Sequence, residues 1–269
     1  MSKSRELDQF YTNPTLAKKY YEFLNDKYDL SSFFLIEPSA GEGSFSSLFH
    51  KDSIAMDLEP KKDYIKQSDF FDFSIESINN SKPIFTIGNP PFGKNSSLAI
   101  KFLNKSGTYS DYVAFVLPKT FKKTSTQNQI NLNLHLVFEE DLPKNSFLHN
   151  GEAYDVPCVF QIWKKEDFKR EKIIEKKTSE LFDFCKKEDG DFAIRRVGGL
   201  SGKVLENFEE YKEASHYYLK TKGFIDKKLL IQAFKDCYQE FQKAAKNTAG
   251  NPSLSKGELI KIIELYFYK

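Results

Sequence analysis

Short apolar runs alternate with stretches of helical periodicity along the first 163 residues, and this alternation is the strongest constraint on the fold. The predicted strands are 33–36, 53–57, 83–88, 112–118, 134–138 and 156–163. The predicted helices are 15–28 and 98–103. Strands that are apolar on both faces are typical of a parallel sheet covered by helices on both sides. We therefore expect an α/β fold built on a mostly parallel sheet.

The pattern changes after Trp163. The Lys/Glu-rich stretch 164–180 is typical of a linker or an exposed helix. Beyond it we predict a strand over 191–197 and a helix over 226–246. A final helix starts at Ser255, which forms a capping box with Glu258. We therefore expect two parts, 1–165 and a smaller 166–269.

Charge is distributed unevenly, although the formal net charge is only +2. Residues 1–163 contain 17 Lys/Arg and 20 Asp/Glu, a net −3, whereas residues 164–269 contain 23 and 18, a net +5. A solvated Lys/Glu-rich helical face is the simpler explanation of the basic last third. The same charge also suits contact with an anionic partner.

Cysteine and histidine positions exclude the common metal sites. The chain has 3 Cys and 4 His, with no Cys-x-x-Cys and no His-Glu-x-x-His pattern, so no metal site is predicted. Scattered cysteines fit a reducing compartment. The first ten residues are polar, and no run approaches the roughly 20 apolar residues of a membrane span. We expect a soluble, cytoplasmic protein of a bacterium or of a phage-infected cell, with no membrane partner.

A glycine loop follows the first predicted strand. The run Glu-Pro-Ser-Ala-Gly-Glu-Gly over 37–43 lets the backbone approach a ligand closely at the carboxyl edge of the sheet, because Gly41 and Gly43 carry no side chain. It is not the three-glycine pyrophosphate motif, since Phe45 or Ser46 stands where the third glycine would be. An ordinary strand-to-helix turn remains the alternative interpretation.

Two acidic residues follow the next predicted strand. Asp57 ends that strand, where an acid can accept hydrogen bonds from the two hydroxyls of a ribose. Asp69 could accept from an exocyclic amine, and Phe70 beside it could stack on a purine. The alternatives are a helix N-cap for Asp57 and a loop acid next to core aromatics for Asp69.

The most specific segment is Asn-Pro-Pro-Phe over 89–92, directly after an apolar strand. Two prolines stiffen the chain and remove two N–H donors. The Asn89 side-chain oxygen and the Pro90 carbonyl are then acceptors that can bind both hydrogens of an amino group, and Phe92 offers a face to a planar ring. A purely structural Pro-Pro turn is a poor explanation in this context.

Together these segments resemble the S-adenosylmethionine-dependent N6-adenine DNA methyltransferases in which the cofactor motif precedes the catalytic one. The resemblance runs from the Asp-Gln-Phe-Tyr-Thr segment at 8–12 to about Trp163. It implies a class I methyltransferase (Rossmann-like) fold, with 1–165 as the catalytic domain and S-adenosylmethionine, without a metal, as the methyl donor. The catalytic residues that it implies are Asn89, Pro90, Pro91 and Phe92. The cofactor-binding residues are Tyr11, Thr12, Glu37, Ser39, Ala40, Gly41, Gly43, Asp57, Leu58, Asp69 and Phe70.

The resemblance also implies that the partner is double-stranded DNA, with the target base extruded from the double helix. A cognate restriction enzyme is a candidate second partner. The expected nucleic-acid contacts are Phe147, as a second wall for the base, and Arg195, Arg196 and Lys203 in the basic last third. The loop 247–255 could hold a phosphate at a helix N-terminus. Surface solubilisation is the alternative explanation for each of these cations.

The substrate is less constrained than the chemistry. Members of this family often carry Asp and Tyr where this chain has Asn89 and Phe92. The variant found here also occurs in methyltransferases of RNA adenine and of protein glutamine. Two alternatives to a DNA methyltransferase therefore stay open: an enzyme acting on RNA adenine or protein glutamine, and a catalytically silent nucleic-acid-binding subunit.

Overall fold

The computed structural model describes residues 11–149, 151–248 and 250–268. The chain divides into two compact units between Lys172 and Ile173. The sequence places the division after 165. The difference, 166–172, belongs to the first unit because the Arg170 guanidinium ties it there: it donates to the carbonyl oxygens of Gln127 (2.5 Å), Ile130 (3.2 Å) and Leu134 (2.9 Å).

The first unit contains ten strands and three helices in its described part. The strands are β1 (Tyr11–Thr12), β2 (Phe34–Glu37), β3 (Ser53–Asp57), β4 (Lys66–Gln67), β5 (Ile84–Gly88), β6 (Tyr112–Pro118), β7 (Leu134–Asp141), β8 (Phe147–His149), β9 (Glu152–Tyr154) and β10 (Cys158–Lys165). The helices are α1 (Pro14–Tyr28), α2 (Ser97–Tyr109) and α3 (Thr124–Gln127).

A seven-stranded sheet organises this unit, in the order β4-β3-β2-β5-β6-β10-β7. Strands β2 to β6 pair in parallel, whereas β10 runs antiparallel to both of its neighbours, β6 and β7. A parallel sheet that reverses its order at β2 and receives one antiparallel strand before its last edge is the class I methyltransferase (Rossmann-like) fold. The fold class predicted from the sequence is confirmed.

The apolar character of the strands on both faces explains why two core layers form. Leu35 and Ile36 are adjacent on β2, and both are fully buried, but they point to opposite sides of the sheet. Leu35 packs in the cluster that includes Tyr20 of α1, and Ile36 packs in the cluster that includes Leu103 of α2. The helices cover the sheet from both sides, as the pattern predicts.

The first unit also contains a small three-stranded sheet with the order β1-β8-β9. Its β1 pairs antiparallel with β8, so that Tyr11 faces Leu148 and Thr12 faces Phe147. The pairing holds the segment before α1 at a fixed place. Residues 8–10, with which the Asp-Gln-Phe-Tyr-Thr segment begins, lie outside the described residues.

The second unit is a four-stranded antiparallel sheet with three helices, within its described residues. Its elements are β11 (Phe182–Cys185), β12 (Phe192–Arg195), β13 (Val204–Leu205), β14 (His216–Thr221), α4 (Lys227–Asp236), α5 (Tyr238–Ala245) and α6 (Lys256–Phe267), and the sheet order is β11-β14-β12-β13. The predicted single helix 226–246 is wrong in one respect: the helical geometry breaks at Cys237, which separates α4 from α5. The capping box is confirmed, since Ser255 and Glu258 bind each other's backbone N–H.

The stretch 164–180 contains the end of β10 and otherwise irregular backbone, so an exposed helix is wrong there and the linker interpretation fits better. None of the helices in the described part of the chain has the length and apolar character that crossing a bilayer demands.

Candidate active site

The loops that follow β2, β3 and β5 meet at the carboxyl edge of the main sheet, because neighbouring parallel strands end at the same edge. Asp57, at the end of β3, accepts a hydrogen bond from the Gly41 N–H at 2.7 Å. Ser39 donates its hydroxyl to the Asn89 carbonyl oxygen at 3.1 Å. The structure thus brings the three segments from the sequence analysis into one place.

The glycine loop has the backbone geometry that requires glycine. Gly41 and Gly43 have φ values of +52° and +83°. A Cβ at Gly41 would lie 2.8 Å from Cε1 of Tyr11, and a Cβ at Gly43 would overlap the Tyr64 hydroxyl. Two tyrosine side chains therefore lie directly against the loop.

Asp57 is held in one orientation by the backbone. Its Oδ2 accepts from the Gly41 N–H, and its Oδ1 accepts from the Glu59 N–H at 2.9 Å. No helix follows β3 here, so the N-cap interpretation of Asp57 does not apply. Each carboxylate oxygen keeps a further lone pair, and the side chain is half-buried, so the carboxylate can still accept from a ligand.

Glu37, at the end of β2, is 2% exposed. Its Oε2 accepts from the Ser46 N–H at 2.8 Å. The pKa of Glu37 is raised to about 8, mainly by burial and also by the Asp57 carboxylate, against the lowering effect of its hydrogen bonds with Ser46. The side chain also lies close to Gly88, where a Cβ would meet the Glu37 Cγ at 3.2 Å. Glu37 therefore packs under both the glycine loop and the residue that precedes Asn89.

The segment before α1 contributes Tyr11 and Thr12 to the same edge. The Thr12 carbonyl accepts from the Ser44 hydroxyl at 2.7 Å. Thr12 is 4% exposed, and its Oγ1 has no hydrogen-bond partner among the residues described. Burial raises the pKa of Tyr11, and the carboxylates of Glu42, Asp57 and Glu59 add to the rise. The surroundings of Tyr11 are therefore acidic.

The Asn-Pro-Pro-Phe segment is anchored at both ends. Asn89 is half-buried and its carbonyl is held by Ser39, while Pro90 is buried. Phe92 is partly buried against both core layers, and its carbonyl accepts from the N–H groups of Leu98 (3.1 Å) and Ala99 (3.3 Å), at the start of α2. Such anchoring fixes the two prolines and the ring at the end of β5.

The loop after this segment is joined to the loop after β6. Gly93, Asn95 and Ser96 all have positive φ values, +66°, +54° and +63°. The Ser96 and Thr120 hydroxyls lie 2.6 Å apart. One hydrogen bond therefore connects the turn that follows Phe92 with the segment after β6.

Other predicted cofactor residues differ in how they are placed. Ala40 is buried, and its N–H donates to the Met56 carbonyl at 2.9 Å, which ties the glycine loop to β3. Leu58 is 63% exposed next to Asp57. Asp69 is exposed, and its Oδ1 accepts from the Phe71 N–H at 2.7 Å. Leu58 and Asp69 are open to a ligand.

Phe70 and Phe147 are not open in this way. Phe70 is 2% exposed and stacks on Phe102 of α2 with ring centroids 4.8 Å apart. Phe147 is fully buried in the core layer that contains Tyr20. Both rings fill the interior because aromatic side chains bury large apolar areas. The predictions that Phe70 contacts an adenine and that Phe147 is a wall for the target base stay predictions, and these placements argue against both.

Arg195, Arg196 and Lys203 lie in the second unit, at and just beyond the end of β12. The Arg195 N–H donates to the Lys203 carbonyl at 3.0 Å, so the first and last of these residues are adjacent. Of the loop 247–255, residue 249 lies outside the described residues.

Sequence reasoning missed three residues of the site. Ser44 and Ser46 belong to the glycine-loop segment, and a count of its hydroxyls could have singled them out as partners of Thr12 and Glu37. Tyr64 has no such signal, because its approach to Gly43 depends on the path of the chain after β3. No group of three or more His, Cys, Asp or Glu that could hold a metal occurs among the described residues.

No family model and no curated protein matches the chain. Several solved structures are similar to it. A protein from Pyrococcus horikoshii, proposed to be an RNA methyltransferase, is 15% identical with a TM-score of 0.45 over 61% of this chain and 90% of its own. A proposed class I S-adenosylmethionine-dependent methyltransferase from Listeria monocytogenes is 14% identical with a TM-score of 0.44, over 61% of this chain and 64% of its own. The 23S rRNA methyltransferase ErmE is 12% identical with a TM-score of 0.39, over 59% of this chain and 71% of its own.

Proposed function

We propose that this protein transfers a methyl group from S-adenosylmethionine to the N6 amino group of adenine in DNA. One observation carries the proposal: the Asn-Pro-Pro-Phe segment at the end of β5 is hydrogen-bonded to the glycine loop through Ser39 and Asn89. A cofactor loop and an amine-binding segment thus share one edge of a class I sheet. The fold, the loop and the segment are each expected for this chemistry, and their contact joins them in one site.

The residues at this edge fit S-adenosylmethionine. Gly41 and Gly43 let the loop turn with positive φ against Tyr11 and Tyr64, and the buried Thr12 Oγ1 has no partner among the residues described. The Asp57 carboxylate, held by the Gly41 and Glu59 N–H groups, would accept from the ribose hydroxyls. The acidic surroundings of Tyr11 suit a ligand that carries positive charge. When bound, the cofactor supplies an activated methyl group on a sulfonium sulfur.

The chain's own part in the reaction is to bind and orient the amine. The lone pair of an adenine amino group is delocalised into the ring, which makes it a poor nucleophile. The Asn89 side-chain oxygen and the Pro90 carbonyl oxygen would accept its two hydrogens and favour a more tetrahedral nitrogen. Phe92 would stack on the base once it has left the duplex. The rate would then depend on placement and on fixed polar groups.

The test is to offer one labelled methyl donor to three substrates. The protein is incubated with methyl-labelled S-adenosylmethionine and, separately, duplex DNA, RNA of the same sequence, and a cell protein extract; each sample is then digested and the labelled product identified by chromatography. We expect labelled N6-methyldeoxyadenosine from the DNA sample. The Asn89→Ala variant is the control for a contaminating enzyme.

The other outcomes decide between the alternatives. Label only in RNA adenine or only in glutamine would overturn the DNA assignment and keep the chemistry. Cofactor binding with no label in any substrate would favour a silent nucleic-acid-binding subunit.

A further inference from the structure

The end of β12 and the loop before α6 form one surface in the second unit. Val197 pairs with Ser253 in an antiparallel bridge, and the Leu254 N–H donates to the Arg196 carbonyl at 2.8 Å. The Gly198 N–H donates to the Pro252 carbonyl at the same distance. Two segments that are more than fifty residues apart in sequence, and that each contain phosphate-binding candidates, are therefore adjacent.

Two cations of this surface share an aromatic ring. The Arg196 guanidinium lies over Tyr217, with its Cζ 5.2 Å from the ring centroid, and the Lys256 Nζ lies 5.8 Å from the same centroid. Lys256 also lies 4.5 Å from the Phe184 ring centroid. The Tyr217 hydroxyl donates to the Leu254 carbonyl at 3.1 Å, which fixes the ring. A guanidinium that lies over an aromatic ring is attracted to it without using its hydrogen-bond donors.

The donors of Arg196 have no acceptor in the described part of the chain. Its Nε is buried without a partner, and its side chain forms no ion pair there. Some other cations of the unit form ion pairs, such as Lys222 with Asp183 (3.2 Å) and Lys235 with Glu206 (2.6 Å). Arg195 differs too, because its Nε donates to the Val197 carbonyl at 3.1 Å.

Two acids lie near this surface. The Glu258 Oε2 accepts from the Ser255 N–H at 2.9 Å in the capping box of α6, and the Glu175 Oε2 would lie 2.7 Å from a Cβ at Gly257. Burial raises the pKa of the Tyr217 hydroxyl, Arg196 lowers it, and Glu258 adds to the rise. The charges that lie over the ring itself are the two cations, Arg196 and Lys256.

We propose that Arg196, with Lys256 at the same ring, binds the phosphodiester backbone of the nucleic-acid substrate. With its Nε buried and the residue as a whole partly exposed, Arg196 has its Nη groups left to donate to the oxygens of a phosphate. A second cation on the same ring suits a chain of phosphates, and the net +5 of residues 164–269 has the same sign. The sequence treats Arg195 and Arg196 alike; the structure assigns the main contact to Arg196. The choice of nucleic acid as the anion rests on the proposed function.

The test compares variants of the full chain for binding to fluorescently labelled duplex DNA and duplex RNA, without cofactor, over a series of salt concentrations. Arg196→Ala removes the stacked cation. Lys261→Ala is the matched control, because Lys261 is an exposed cation of α6 outside this surface. We expect Arg196→Ala to lower DNA affinity at least fivefold relative to the control and to reduce the slope of log affinity against log salt by about one ion.

Arg196→Lys should keep the slope and recover only part of the affinity. The DNA and RNA arms identify which backbone is bound.

Thermal unfolding verifies that each variant folds; if Arg196→Ala does not, Arg196→Lys and Lys256→Ala carry the comparison. Equal affinities for Arg196→Ala and Lys261→Ala, or no nucleic-acid binding by the unmodified protein, would overturn the proposal. Methyl transfer is measured separately at saturating DNA. Duplex binding that depends on Arg196 without any methyl transfer would refute the proposed function and leave this surface standing.

Discussion

At the scale of single residues, Asn89 separates catalysis from cofactor binding. Asn89→Ala removes a side-chain acceptor, but the bond from Ser39 to the Asn89 carbonyl can persist because it uses the main chain. We expect turnover on duplex DNA to fall by about two orders of magnitude or more, as for the loss of a fixed polar contact in a transition state. The affinity for S-adenosylmethionine, measured by calorimetry, should change little.

Asn89→Asp is the matched control for that change. Aspartate has nearly the same shape and keeps an acceptor oxygen, so measurable activity should remain. Methylation of duplex DNA by Asn89→Ala at the unmodified rate would show that the catalytic assignment is wrong.

Glu37 predicts a pH dependence of stability with an unusual sign. The folded chain holds the Glu37 proton up to about pH 8, whereas the usual pKa of 4.5 applies once the chain is unfolded. Between these values the folded state binds more protons than the unfolded state, so the Glu37 contribution to the free energy of unfolding falls as pH rises from about 4.5 to 8. It is fully present below this window. Denaturant titrations of the ligand-free protein across the window measure the fall.

Glu37→Gln is the control, because glutamine keeps an acceptor for the Ser46 N–H and does not titrate. The variant should lose the part of the slope that belongs to Glu37, while the shared titrations of other groups remain. Identical slopes in the two proteins would mean that Glu37 is ionised in the folded state.

At the scale of elements, α2 packs closely against the first residue of β7, and a glycine of α2 lies at the contact. Gly107 of α2 is buried, and a Cβ there would lie 2.5 Å from Cδ1 of Leu134, a fully buried residue of β7. Alanine favours a helix over glycine by about 1 kcal/mol, but overpacking a core costs roughly 1–3 kcal/mol. We expect Gly107→Ala to lower the free energy of unfolding.

Gly223→Ala is the comparison, since no heavy atom lies within 4 Å of a Cβ at that position. It reports the effect of alanine on the unfolded chain alone and should be neutral or slightly stabilising. A gain in stability from Gly107→Ala would show that α2 can move away from β7 at no cost.

The predictability of each element depends on whether its own sequence carries the signal. The strands of the main sheet are apolar on both faces, and β3 and β6 have the predicted bounds, 53–57 and 112–118. Strands β11 and β14 mix polar and apolar residues, because one face of a small antiparallel sheet is exposed, so neither was predicted from the sequence. The break at Cys237 contains neither Gly nor Pro, so no local signal marks it.

The site follows the same division. Asp57, Gly41 and Asn89 could be predicted to meet, because residues that end neighbouring parallel strands lie at one edge. The burial of Phe70 and Phe147 could not, since it depends on Phe102 and on the core around Tyr20, which are distant in sequence. Chemical type predicts a candidate residue, and tertiary packing decides whether its side chain can reach a ligand.

At the scale of the whole molecule, the first unit should fold without the second. Its two main core layers are built from residues between Leu16 and Trp163. A chain that ends at Lys172 keeps the three bonds from Arg170 to carbonyl oxygens, and a chain that ends at Lys165 loses them. We expect the shorter chain to have the lower free energy of unfolding, by about 1–3 kcal/mol, because hydrogen bonds from a charged group are lost. Arg170→Ala in the longer chain should reproduce most of the difference in a denaturant titration.

The same truncation tests how the two units share the function. The chain that ends at Lys172 contains Thr12, Asp57 and the glycine loop, so it should bind S-adenosylmethionine as tightly as the full chain in a calorimetric titration. It lacks Arg196 and Lys256, so its affinity for duplex DNA should fall and its salt dependence should become flatter than that of the full chain. The duplex affinity of the full-length Arg196→Ala variant should lie between those of the two chains, because this variant loses one phosphate contact and keeps the rest of the surface.

Equal duplex affinity for the truncated and full chains would place DNA binding in the first unit. Loss of cofactor affinity in a truncated chain that still unfolds cooperatively would mean that the second unit supports the cofactor site, contrary to the division of roles proposed for the two units.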